Sequence, residues 1–218
     1  MSSSRLPGKV LMPVLGRPLL GYLTESLQRV SGADHLIVAT SVDPSDDPIA
    51  AFCRSEGISC WRGPLDDVAA RFSGAIREFG LDAFVRVCGD CPLLDFRLVE
   101  QAIRLFREGS YEVVTCALER SFPQGQVVEV VSAEAFQRQV ALFEDDADRE
   151  HVTRRLYLAR DRFVIHNFLA PVNLLGTRMV VDTEEDFRRV EALLSRLDKP
   201  HWEYDYQALA SLAGGVSV

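Results

Sequence analysis

Lys9 and Lys199 are the only lysines in a chain of 218 residues that otherwise carries its positive charge on arginine. Lys9 follows Pro7-Gly8 directly. A compact ammonium on a flexible stem, set at a turn, suits a polyphosphate oxygen better than a flat guanidinium does. Ser3, Ser4, Arg5, Gly8 and Lys9 read together as a loop of small residues, a glycine and two cations. Such a loop can wrap a triphosphate with backbone N–H groups and side-chain charge. Pro-Gly is also ordinary turn chemistry, so the downstream residues decide its weight.

Two further clusters are acidic. Cys88-Gly89-Asp90-Cys91-Pro92-Leu93-Leu94-Asp95 follows an apolar run. A carboxylate after a glycine at the end of a parallel strand points into the crevice where open α/β sheets bind ligands. Asp90 is thus a candidate ligand for a hard cation such as Mg²⁺, and Asp95 reads as the cap of the helix starting at Phe96. Cys88 and Cys91 have the spacing of a redox or zinc pair, but no second pair stands at ligand spacing, so small core residues are the better reading. Arg178-Met179-Val180-Val181-Asp182-Thr183 repeats the pattern of a strand ending in a carboxylate. Asp90 and Asp182 could share one metal, or Asp182 and Thr183 could simply cap a helix. His151, in Asp148-Arg149-Glu150-His151-Val152-Thr153, reads as a general base or as part of a helix-surface ion network.

The elements that must position these residues alternate. The apolar runs 35–40, 58–61, 84–88 and 111–117 read as strands. The stretches 45–55, 65–79 and 96–107 between them read as amphipathic helices. The later part is less regular, with strands over 127–131, 162–168 and 179–181 and helices over 133–142, 149–159 and 183–196. This rhythm predicts one α/β domain spanning residues 1–218, a doubly wound and mostly parallel sheet with helices on both faces. In such a fold a phosphate-binding loop follows a buried first strand. Only Met1-Ser2-Ser3 precede this one, so the first strand reads as missing.

Composition narrows the chemistry. Charged residues make up 26% and the formal net charge is −8, against the basic face that a nucleic-acid partner demands. A local cationic loop and a divalent metal can still hold a small phosphorylated substrate. No apolar run approaches the roughly 20 residues of a membrane span, and the N-terminus does not read as an export leader. Five scattered cysteines read as reduced thiols in a cytoplasm. No Gly-x-Ser-x-Gly or Walker sequence is present to suggest a hydrolase or an ATPase.

Taken in order, these clusters resemble the sugar-acid cytidylyltransferases, and within them the spore-coat polysaccharide biosynthesis protein F group. The likeness rests on Arg5-Leu6-Pro7-Gly8-Lys9, Val38-Ala39-Thr40-Ser41, Asp46-Asp47-Pro48, Arg62-Gly63, Asp66-Asp67-Val68, Gly89-Asp90-Cys91-Pro92-Leu93, the segment 148–153 and the segment 181–187. It implies a nucleotide-diphospho-sugar-transferase-type domain, usually a homodimer. It implies Mg²⁺-dependent transfer of CMP from CTP to the hydroxyl of a sugar or sugar acid, with release of pyrophosphate, in surface polysaccharide or glycoconjugate synthesis. Carried over, Arg5 and Lys9 would hold the triphosphate. Asp90 and Asp182 would bind the metal, and Ala39, Thr40 and Ser41 would lie near the base. Asp66 and Asp67 would lie by the nucleotide or sugar pocket, and Glu129, His151 and Arg178 by the acceptor. Two other readings share the broad fold: a glycosyltransferase using a nucleotide-sugar, and an inactive nucleotide-binding partner subunit. The first is disfavoured because an Asp-x-Asp pair is lacking at Asp90.

Overall fold

Each strand of this protein is short, so helices and loops carry much of the positioning. The computed structural model describes Ser3 and residues 5–214. A two-residue hairpin pairs β1 (Pro13–Val14) with β2 (Arg17–Pro18), and α1 (Leu19–Leu27) follows at once. Then come β3 (Ile37–Ser41), α2 (Asp47–Ser55), β4 (Ser59–Gly63), α3 (Val68–Phe79), β5 (Ala83–Arg86), α4 (Phe96–Glu108) and β6 (Val113–Thr115). β7 (Glu129–Ser132), α5 (Ala133–Val140), α6 (Asp146–Glu150), α7 (Arg154–Leu158), β8 (Ile165–Asn167), α8 (Glu184–Leu194) and α9 (Tyr206–Ala213) complete the chain.

The α/β class and the strand–helix alternation are as the periodicity requires; the pairing is mixed rather than mostly parallel. β3 and β4 pair in parallel, with Ile37 opposite Ser59 and Ser41 opposite Gly63. The second sheet has the order β5-β7-β6-β8. Its β6–β8 pair is parallel, but β7 runs antiparallel to both β5 and β6. The physical reason lies between residues 116 and 128, which contain no helix. Parallel neighbours need a crossover element; a loop return leaves the strands antiparallel. The intervening α4 packs its buried Leu98, Val99, Ala102 and Ile103 into one core with Val114 and Val130 of the sheet.

Three other differences have local causes. The expected helix over 149–159 is two short ones, because His151 leaves helical geometry after α6. The expected strand over 179–181 forms no ladder; Arg178 makes a single parallel bridge to Gln124. The helices α1 and α9 carry no strong pattern in sequence. Most of α1 is buried, including Gly21, Thr24 and Ser26, so it lacks the polar stripe by which periodicity is read.

One buried carboxylate fixes the segment after α5. Asp148 is fully buried, accepts from Glu144 N at 2.9 Å and Arg155 Nε at 2.6 Å, and is paired with Arg154. Burial opposes its ionisation, but these donors outweigh burial and hold its pKa down to about 2. A depressed carboxylate contributes stability that is fully present above its unfolded value, about 4. That contribution is therefore expected to drain away as pH falls from about 4 towards 2. Acid titration of thermal stability should show the Asp148→Asn variant losing less than the parent over that window; equal losses would remove Asp148 from the account.

Candidate active site

The N-terminal turn is built around Gly8, whose φ of 74° belongs to the left-handed region that glycine enters without cost. The turn sends Lys9 inward, and its side chain is only 11% exposed. The Lys9 Nζ donates to Asp90 Oδ2 at 2.7 Å and to Asp182 Oδ1 at 3.0 Å. Burial disfavours the ammonium, yet the two carboxylates outweigh it and raise its pKa. Arg5 adds a contact to Asp182 Oδ1 at 3.0 Å from a mostly exposed side chain. Burial likewise opposes charge on Asp182, and Lys9, Arg5 and Arg178 together hold its pKa down.

The two acidic tips are tied by backbone. Val181 N donates to Asp90 O at 2.9 Å, and Met179 N to Gln124 O at 2.8 Å. Gly125, at φ +99°, permits this approach: a Cβ there would meet Met179 C and Val180 N at 2.9 Å. Asp186 then sets the geometry of Asp182. Its carboxylate accepts from Asp182 N and Thr183 N at 3.0 Å each, and from Arg178 Nε at 2.6 Å. With Thr183 it forms a capping box at the start of α8. The spacing Thr183-x-x-Asp186 is a legible helix start, yet its second duty towards Asp182 shows only in three dimensions.

A cavity of about 830 Å³ opens beside Lys9, lined also by Ser3, Gly8, Thr40, Asp66, Asp67 and Arg71. Ser3 Oγ lies 3.4 Å from Leu6 N. Ser4 lies outside the described residues. Thr40 lines the cavity, but its hydroxyl donates to Asp46 Oδ2 at 2.8 Å. The Ser41 hydroxyl does the same at 2.6 Å, and Ser41 is fully buried. Ala39 sits mid-strand opposite Trp61. Asp67 caps α3 through Ala70 N at 2.7 Å and meets Arg149 at 3.1 Å. Asp46 and Arg149 also line this cavity; they lie in segments that carry the resemblance, which gave neither a role, whereas Arg71 lies in none of those segments.

The residues assigned to an acceptor are scattered. Arg178 spends its guanidinium on Asp186, Asp182 and Gln124. Glu129 is 1% exposed and paired with Arg86 and Tyr157. His151 is exposed at the end of α6 and does not line the cavity, whereas Asp146, Arg149 and Glu150 do. Asp95 caps α4, accepting from Arg97 N at 3.0 Å. Asp90 and Asp182 offer hard oxygen donors converging on one cationic point, marked by the Lys9 ammonium. That donor set suits Mg²⁺, which takes one or two carboxylates and completes its shell with phosphate oxygens and water. Among the described residues no three His, Cys, Asp or Glu side chains gather as a ready-made metal cage.

A cationic turn and two acidic tips share one ammonium beside a cavity. The cytidylyltransferase family model matches residues 1–200. The chain belongs to the cytidylyltransferase family. It is therefore a nucleotidyltransferase. Spore coat polysaccharide biosynthesis protein SpsF of Bacillus subtilis is 32% identical over 207 residues, covering 90% of this chain and 83% of that protein. A 3-deoxy-manno-octulosonate cytidylyltransferase of Acinetobacter baumannii is 39% identical over 109 residues, covering 48% of this chain and 42% of that one. The solved cytidylyltransferase of Leptospira borgpetersenii superposes with a TM-score of 0.93 at 24% identity, covering 100% of this chain and 94% of that chain. This cytidylyltransferase thus shares the fold of that solved cytidylyltransferase.

Proposed function

We propose that this cytidylyltransferase transfers CMP from CTP to a hydroxyl of a sugar acid, with Mg²⁺, and releases pyrophosphate for the synthesis of a surface polysaccharide. The observation that carries the reading is Lys9 Nζ lying within 3.0 Å of both Asp90 and Asp182 beside the cavity. The sugar-acid acceptor is drawn from the Acinetobacter relative, and the polysaccharide setting from SpsF.

The acceptor oxygen attacks the α-phosphorus and pyrophosphate leaves, so negative charge builds on the β- and γ-phosphate oxygens. The new Pα–O ester bond forms as the Pα–O–Pβ anhydride bond breaks, and the acceptor hydroxyl's proton passes to water or to the departing pyrophosphate. Lys9 and Arg5 supply preorganised positive charge where that charge develops, which is the main lever in such reactions. Asp90 and Asp182 would hold Mg²⁺, which when bound neutralises phosphate charge and orients the leaving group. Arg178 and Asp186 hold Asp182 in place, and the burial of the Lys9 side chain strengthens its field relative to water.

Pyrophosphate release is the direct test. Release is expected with CTP and a nonulosonic or octulosonic acid, and is expected to fall to background without an acceptor. CTP binding without release from any acceptor would favour the inactive partner subunit instead. Light scattering of the same sample is expected to give the mass of two chains; a single-chain mass would end the homodimer reading.

A further inference from the structure

Three strands line up a row of polar side chains at one end of the larger sheet. Arg86, the last residue of β5, stands opposite Glu129 on β7, and Glu129 stands opposite Thr115 on β6. One Glu129 oxygen accepts from Arg86 Nη1 and the other from the Tyr157 hydroxyl of α7. Thr115 Oγ1 lies 3.0 Å from that hydroxyl. Both Glu129 oxygens are engaged inside the row and the residue is 1% exposed, so it is closed to a substrate.

Arg86 is different. It has five N–H donors and commits only Nη1. Among the described residues, Nε–H and Nη2–H have no partner, and they form the side edge of the guanidinium, two parallel donors. That edge matches a carboxylate bidentately. Arg86 stands outside the lining of the cavity at Lys9, and the guanidiniums at or beside that cavity are committed or solvated. Arg178 is spent on three partners, and Arg71 donates to the carbonyls of Pro64 and Leu65. Arg5 and Arg149 have mostly open side chains, 62% and 52% exposed, against 25% for Arg86.

The row also lies at the right end of the sheet. β5 leads from Arg86 through Val87 and Cys88 into Gly89-Asp90. The half-buried Cys88 thiol lies near enough to feel the charges of Arg86 and Glu129 as well as those of Lys9 and Asp90. Open α/β sheets bind ligands beyond such strand ends.

We propose that Arg86 is the acceptor-recognition residue, gripping the carboxylate of the sugar acid through its free side edge. Glu129 and Tyr157 are positioning residues that hold the fork. The assignment rests on the sugar-acid reading above and names the side chain that would select it.

The test is calorimetric binding to protein loaded with α,β-methylene-CTP and Mg²⁺. The probes are 3-deoxy-manno-octulosonate, its 8-amino-3,8-dideoxy analogue and N-acetylneuraminate, each beside the alcohol made by reducing its carboxylate. The parent is expected to bind at least one acid and to bind the matching alcohol about 100-fold more weakly, the worth of hydrogen bonds to a charged group. R86K keeps the ion pair with Glu129 but loses the fork, and should weaken the acid about 10-fold or more. The R86Q/E129Q double variant avoids a stranded buried carboxylate and should erase the acid-over-alcohol preference. Y157F should narrow that preference with the Kd of the nucleotide analogue unmoved, which a purely structural role would not produce. Thermal midpoints check that each variant is folded.

An acid binding R86K and the double variant as tightly as the parent overturns the proposal. So does an alcohol binding the parent as well as its acid, or no acid binding at all. Failure of the nucleotide analogue itself to bind defeats the parent reading of a CTP site, and the proposal with it.

Discussion

Lys9→Ala is expected to lower CTP-dependent pyrophosphate release by about 10²–10³-fold, the usual cost of removing one preorganised charge-stabilising group. Among the described residues its ammonium is the single group bonded to both Asp90 and Asp182, and it stands on the cavity wall. No neighbour can replace it: Arg5 reaches Asp182 alone from an exposed position. Asp90→Asn should cost a similar factor, about 10²–10³, because a neutral amide cannot hold a divalent cation opposite Asp182. Neither change should unfold the protein. Asp90 and Asp182 are 23% and 20% exposed, so water shares in solvating whichever charge loses its partner. Steady-state release and thermal unfolding, measured on the same samples, separate the two effects. Near-parental release from either variant would remove this cluster from the reaction.

Asp186→Ala carries the largest expected loss of stability near the site. The Asp186 side chain is 4% exposed and gathers Arg178, Arg189, Thr183 and the backbone N–H of Asp182. Burial opposes its charge, and the Arg178 and backbone hydrogen bonds outweigh burial, holding its pKa far below the ordinary carboxylate range. Breaking a buried pair by removing one partner costs about 3–5 kcal/mol. For a chain of this size that is a fall of roughly 10 °C in Tm. Activity should fall as well, because Asp182 loses the bond that orients it and Arg178 loses its main anchor. A Tm within about 2 °C of the parent would show that the network is redundant.

The contrast between these two sites shows how far patterning reaches. The turn before Lys9, the cap at Asp95 and the helix start at Thr183 are all legible, because each depends on residues within one turn of each other. The run at 84–88 reads as a strand for the same reason. The antiparallel entry of β7 is not legible, because a loop return and a crossover differ in no local preference. Nor is α1, whose buried polar residues hide its period. The family resemblance points to Glu129 and Arg178 as substrate contacts, but both are spent on internal partners, and the open donors fall on Arg86 instead.

By itself, the amino-acid order determined which segments are strands and helices between 35 and 115, where helices begin, and that a cationic turn and two acidic segment ends exist. Only tertiary structure decided that Lys9 meets partners 81 and 173 positions away, and that Gly125 lets the 178–182 segment approach closely enough to bring Asp182 beside Asp90. Local propensity acts over a few residues, whereas that convergence depends on strand order, long-range packing and a backbone contact between segments distant in sequence.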